Sequence, residues 1–244
     1  MAMPPALATP PKARQSRHNQ ATVSPGLAAI LATLRVTEAF MDRVSRRAAL
    51  KGVAAGLACA WTAPGAAHAE PPPFGKRLAD AALAQCGVTV LYDPAYARIA
   101  YPLGDVPEDR GVCADVVIRA YRTLGIDLQE RVHKDMTAHF ALYPHLWALR
   151  GPDSNIDHRR VPNLETYFRR FGQTLPSTRE SRLYAEGDLV TWLLDGHLPH
   201  IGIVTAAPSV DGARPLIVHN VGAGARHEDV LFAYPLAGHF RYTV

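Results

Sequence analysis

The chain has 244 residues, 48% hydrophobic and 20% charged, and a mean hydropathy near zero. These values suit a soluble globular protein and exclude a wholly disordered, collagen-like or polytopic membrane chain, while three cysteines are too few for a disulfide scaffold or a four-thiolate zinc site. The formal charge of +4 is uneven: residues 1–69 carry 8 Lys and Arg against 2 Asp and Glu, and residues 70–244 carry 18 against 20, so the body lacks the basic footprint of a nucleic-acid-binding domain.

Residues 1–40 are rich in Ala, Pro and Gln and are expected to be disordered. Ser45-Arg46-Arg47-Ala48-Ala49-Leu50-Lys51 then opens a short apolar stretch, Gly52 to Trp61, which ends at Ala67-His68-Ala69. A basic segment, an apolar segment and a small-x-small site in that order describe a secretory signal cleaved after Ala69. The paired arginines resemble the twin-arginine version, with Ala49 where its consensus usually has Phe. The apolar stretch is shorter than the about 20 residues a membrane span needs. Gly56 stands where a lipobox around Cys59 would carry a branched aliphatic residue. A leader starting at Met41 has ordinary proportions, so Met1 and Met41 both stand as starts. The expectation is a signal over 41–69 and one periplasmic or secreted domain over 70–244, with no stable membrane span after cleavage.

Within that domain, Phe74 to Gln85 is a predicted helix and Val88 to Tyr92 a short extended segment. A turn-rich stretch with Pro94, Pro102, Gly104 and Pro107 follows. Val112, Val116, Val117, Ala120, Tyr121 and Leu124 recur at helical spacing before Gly125, which predicts a helix over Val112 to Leu124. Further helices are predicted over Leu128 to Leu142 and Pro162 to Phe171, with a polar loop at 144–161 between them. After Gly187 the period becomes two. Strands are predicted over Asp188–Leu194, His200–Thr205, Pro215–Asn220, Val230–Ala233 and His239–Val244. Helices first and antiparallel strands second argue for an α+β fold.

Cys113 begins the second of these helices. Unpaired N–H groups and a partial positive charge at a helix start stabilise a thiolate, so a depressed thiol pKa and nucleophilic character are expected. The same N–H groups can hold an oxyanion. If the strands around His200 and His219 form a hairpin about Val210, His200 lies opposite His219 or Asn220. Alternation lets only one of those two share its face. Such a pair suits an imidazole base and its orienter.

The order of a helix-start Cys113, Gly187-Asp188-Leu189-Val190, His200-Ile201-Gly202-Ile203-Val204 and a His on the next strand resembles the NlpC-type cell-wall cysteine peptidases, a branch of the papain-like fold. More closely, Tyr92-Asp93-Pro94, Gly104-Asp105-Val106-Pro107, Arg110-Gly111-Val112-Cys113, Asn155 to Arg160 and His219 to Gly224 resemble a bacterial domain-of-unknown-function family placed in that superfamily. The resemblance implies a papain-like NlpC-type fold, with N-terminal helices packed on an antiparallel sheet. It also implies Cys113 as nucleophile, His200 as general base and His219 as polar orienter, Asn220 being the alternative third member. The peptidases usually carry Asp before the cysteine and Ser-Gly after it, where this chain has Val112 and Ala114-Asp115.

The implied activity is hydrolysis of amide bonds, in peptidoglycan or another amide-containing envelope substrate, through a thioester and without a cofactor. Arg159 and Arg160 suit substrate carboxylates. Asp115, Tyr92, Asp157 and His158 complete the candidate substrate-binding set. Rival readings stand beside this one: a metal-dependent hydrolase, although the histidines lack tight ligand spacing, and a non-catalytic envelope-binding module with a Cys86–Cys113 disulfide. Amide-forming transfer on the same triad is a further alternative.

Overall fold

The computed structural model describes residues 72–146 and 150–244; the expected disordered segment, signal and cleavage site lie outside them. Helix α1, Phe74–Leu83, buries Leu78, Ala81 and Ala82. It stops short of the expected Gln85, whose side-chain amide donates to the carbonyls of Ala81 and Val116. The extended segment after it reduces to a two-residue strand, β1 (Leu91–Tyr92), parallel to β2 (Arg110–Gly111). This pairing brings Tyr92 beside the residues that precede Cys113.

Helix α2 spans Cys113–Thr123 and is buried from Cys113 through Tyr121. Gly125, at φ +80°, follows its end in the left-handed conformation that glycine adopts without steric cost. Helix α3 spans Leu128–His139, capped by the Asp127 side chain, which accepts from the Gln129 N–H at 3.0 Å. The predicted helix continues to Leu142 only as a 3₁₀ turn. The polar loop after it contains a 3₁₀ turn at Asp157–Arg159. Helix α4, Val161–Phe171, then begins with Pro162 in its first turn, where the missing N–H costs nothing.

The strands β3 (Gln173–Thr174), β4 (Leu189–Leu194), β5 (Leu198–Pro208), β6 (Pro215–Asn220), β7 (Ala225–Glu228) and β8 (Leu236–Arg241) form one antiparallel sheet in the order β3-β8-β4-β5-β6-β7. The α+β expectation therefore holds. One predicted strand does not: Val230–Ala233 is a turn, closed by the Ala233 N–H on the Val230 carbonyl. Its apolar side chains do not alternate along a sheet. Leu231 instead plugs the far face, and its carbonyl accepts the Trp192 indole N–H at 3.0 Å. The pairing strand is the polar stretch Ala225–Glu228, reached directly through the Gly222-Ala223-Gly224 turn. The last predicted strand is also displaced, from His239–Val244 to Leu236–Arg241.

Alternation divides the sheet. Leu189, Ile201, Ile203, Val218 and Phe240 pack under the helices, with Val116, Val117, Tyr121 and Phe168. Val190, Trp192, Val204 and Ile217 face the other way, under Tyr184 and Leu231. Among the described residues no helix is long and apolar enough to cross a membrane.

Candidate active site

The segment that delivers the cysteine is clamped from three sides. The Asp115 Oδ2 accepts the Val112 N–H at 2.6 Å, and the Val112 carbonyl accepts the Asp115 N–H at 3.1 Å. This reciprocal pair satisfies donors at the helix start. The Asp115 carboxylate lies so close to Gly111 that a Cβ there would meet Oδ2 at 2.8 Å, which leaves glycine as the residue that fits. The Gly111 carbonyl accepts from Asn220 Nδ2 at 2.9 Å. Asp115 is held in turn by Arg159, with Nε on Oδ1 and Nη2 on Oδ2, both at 2.9 Å. Arg159 also donates to the carbonyls of Ala95 and Asp93 at 3.2 Å.

The thiol at the head of α2 is only 5% exposed. Burial pushes its pKa up to about 11, and the Asp115 charge adds to the rise; the N–H groups of Ile201, Ala114 and Cys113 itself, directed at the sulfur, oppose it. The expected depressed pKa is therefore corrected. A helix start does favour the thiolate, but desolvation of a buried charge is the larger effect. The resting group is a neutral thiol against the N–H of the residue that follows His200.

Across the sheet, Gly202 pairs with His219 and Ile203 with Val218, close to the expected centring on Val210. His219 thus shares a face with His200, and His200 Nε2 lies 2.8 Å from His219 Nδ1. The rings meet edge-on, 5.1 Å between centroids. Asn220 points to the opposite face, where it holds Gly111. Beyond this pair, His219 Nε2 lies 3.0 Å from Glu228 Oε2, a neighbour that the sequence pattern hides by predicting the strand at 230–233.

Burial lowers the His200 pKa to about 3, with the adjoining His219 adding to the effect. Burial also lowers that of His219, opposed by Glu228. The His200 ring sits on the Trp192 side of the sheet, 5.7 Å from the indole, whereas Ile201 and Cys113 belong to the helix-side core. The sulfur therefore lies against the backbone N–H of Ile201, while the preceding imidazole turns to the other face, just beyond the end of the β5–β6 ladder. Among the described residues no hydrogen bond joins Cys113 Sγ to the His200 ring, and Nδ1 of that ring has no partner.

A cleft of about 530 Å³ reaches Cys113, with Tyr92, Tyr96, Arg159, Arg160 and Pro199 in its walls. Three other candidate substrate contacts lie outside it. Asp115 is enclosed by Val112 and Arg159. Asp157 is fully buried and accepts from the Asp153 N–H at 2.7 Å, with His133 Nδ1 at 3.0 Å. His158 is buried, and desolvation followed by the charges of Arg159 and Arg122 lowers its pKa to about 3. All three residues shape the loop that carries Arg159 and Arg160, which explains why that polar run stands out in the sequence.

Cys86 and Cys113 are both free thiols, so the alternative disulfide is not formed: Cys113 lies against β5, and Cys86 lines a separate cleft beside Arg226. Among the described residues no group of three or more His, Cys, Asp or Glu side chains is placed to hold a metal ion.

Residues 79–242 match the family described as a domain of unknown function, DUF1287. The Escherichia coli (strain K12) protein named Uncharacterized protein YijF is 55% identical over 167 residues, covering 68% of this chain and 81% of the relative. No solved structure matches the chain significantly.

Proposed function

The chain belongs to the DUF1287 family, and on that premise we propose that it is an exported cysteine hydrolase of papain-like, NlpC-type architecture that cleaves amide bonds in peptidoglycan stem peptides. One observation carries this reading: a paired imidazole, His200 Nε2 to His219 Nδ1 at 2.8 Å, on the strand whose next peptide N–H is directed at a helix-start thiol. A buried thiol at the end of a cleft, against the strand that carries an imidazole with one open ring nitrogen, supports acyl transfer.

Burial holds the thiol up and the imidazole down, so the proton moves as the sulfur attacks rather than before it. The reading requires His200 Nδ1 to come within hydrogen-bond reach of Sγ in the substrate complex, where catalytic hydrogen bonds commonly tighten. Nδ1 takes the thiol proton while Sγ bonds to the amide carbonyl carbon. N–H groups at the start of α2 stabilise the oxyanion. The carbon–nitrogen bond then breaks, the proton passes from His200 to the leaving amine, and a thioester remains. Water, deprotonated by His200, attacks that thioester and releases the acid and the free thiol. Arg160, in the cleft wall, supplies the guanidinium that a stem-peptide carboxylate would engage. The leader ending at Ala69 would place the folded domain in the periplasm or outside the cell.

The test is Cys113→Ala, assayed on purified peptidoglycan with mass spectrometry of the released muropeptides. The parent protein should give products that name the bond cut, and the variant should give none while keeping its circular-dichroism spectrum and melting temperature. Full activity in the variant would remove Cys113 as nucleophile.

A further inference from the structure

We propose that Glu228 is a positioning residue of this site, acting through His219 to fix the tautomer of His200 so that Nδ1 keeps a bare lone pair, the form that a proton acceptor for Cys113 needs. The catalytic part of this inference rests on the hydrolase reading above; the tautomeric part does not.

Donors and acceptors must alternate along the line from Glu228 through His219 to His200. An ionised carboxylate can only accept. Glu228 Oε2 lies 3.0 Å from His219 Nε2, so that nitrogen carries the hydrogen. A neutral imidazole bearing hydrogen on Nε2 has a bare Nδ1. His219 Nδ1 is 2.8 Å from His200 Nε2, so His200 must donate from Nε2 and its own Nδ1 is left bare. The reverse assignment turns a bare His219 Nε2 against the carboxylate, lone pair to lone pair. Burial disfavours the charged form of both rings; for neutral rings two tautomeric strings compete, and Glu228 selects one of them.

The strand geometry supports the arrangement. His219 faces Arg226, and Ile217 faces Glu228, which puts Glu228 on the His219 face, one diagonal step away. Its side chain is 45% exposed and borders a separate cleft of about 490 Å³ with Cys86, Arg226 and His227. The carboxylate therefore keeps part of its hydration while His219 is fully enclosed. The charge sits where water can solvate it, and its effect reaches His200 through the His219 ring.

The experiment compares the full chain with Glu228→Ala and Glu228→Gln by nitrogen-15 NMR of labelled histidine, which reads the protonated nitrogen of each ring directly. The parent protein should show both His200 and His219 protonated on Nε2. Glu228→Gln, whose amide oxygen still accepts, should preserve this pattern. Glu228→Ala should mix the tautomers of both rings and reduce kcat about tenfold, as loss of an outer orienting partner commonly does, with KM unchanged. If the alanine variant does not fold, Glu228→Thr takes its place on the strand. Unchanged tautomers in the alanine or threonine variant, or a parent His200 protonated on Nδ1, would overturn the proposal. Residual hydrolysis by Cys113→Ala in the same assay would defeat the hydrolase reading alone, leaving the tautomer measurement to decide the role of Glu228.

Discussion

Two buried histidine–carboxylate arrangements occur in the same sheet, and they are built differently. His239 has both ring nitrogens engaged by acceptors: Nδ1 faces the Pro176 carbonyl at 3.1 Å and Nε2 faces Asp188 Oδ2 at 2.8 Å. Tyr184 stacks on the ring at 4.1 Å between centroids. Asp188 is fully buried and also receives Arg241 and the Ala185 N–H. Among the described residues His200 has one nitrogen engaged, by His219, and the other open. A ring tied at both ends fixes the sheet in place. A ring tied at one end is oriented and still able to take a proton.

Substitutions can break this contrast from either side. The largest effect is expected at the open ring: His200→Ala should lower hydrolysis of peptidoglycan by about 10²–10⁴-fold, the usual worth of a general acid–base group, while the melting temperature stays near that of the parent. Equal activity in parent and variant would place the base elsewhere. At the tied ring the order reverses. Asp188→Ala leaves His239 and Arg241 without their carboxylate and should cost about 3–5 kcal/mol of stability, measured by denaturant unfolding.

The same group gives a pH dependence. Burial alone would raise the Asp188 carboxyl, but the hydrogen bonds from His239 and Arg241 outweigh it and hold the pKa below the ordinary value. Its contribution is therefore present above the unfolded carboxylate pKa and is lost as acid carries the pH down through the folded value, below about 4. Asp188→Asn should flatten that part of the stability curve, and an unchanged acid limb would assign it to other carboxylates. The smallest effect is expected at Asn220→Ala, which removes the donor to the Gly111 carbonyl at a cost of about 1–3 kcal/mol and lowers kcat more than it raises KM. A change confined to KM would show that Asn220 contacts substrate instead.

What could be read before the structure follows from the kind of signal each part carries. Helix α2 announces itself through apolar periodicity and Gly125, and its start determines where Cys113 sits. The pairing of His200 with His219 was accessible because strand alternation and a hairpin centre near Val210 are short-range facts. Glu228 was not accessible. Ala225–Glu228 is a strand because the Gly222–Gly224 turn folds it onto β6, and its own polar residues carry no period-two apolar pattern, whereas Val230–Ala233 has strand-like residues used as a plug. The roles of Arg159 and Asp115 were likewise hidden, since a buried ion pair 44 positions apart in the chain leaves no local mark. The thiol's burial, which reverses the expected shift, depends on β5 and could not be read from α2.

Asn220 and His219 are neighbours on one strand and look in opposite directions, one gripping the loop ahead of the sulfur and the other the His200 ring. A slip of a single residue in β6 would swap their faces, turning the amide toward the imidazole and the second imidazole into the helix layer. The thiol segment and the His200 ring are thus kept in step by the phase of one β-strand, and insertions or deletions inside Pro215–Asn220 should be far less tolerated than changes of the same size in the turn at 209–214.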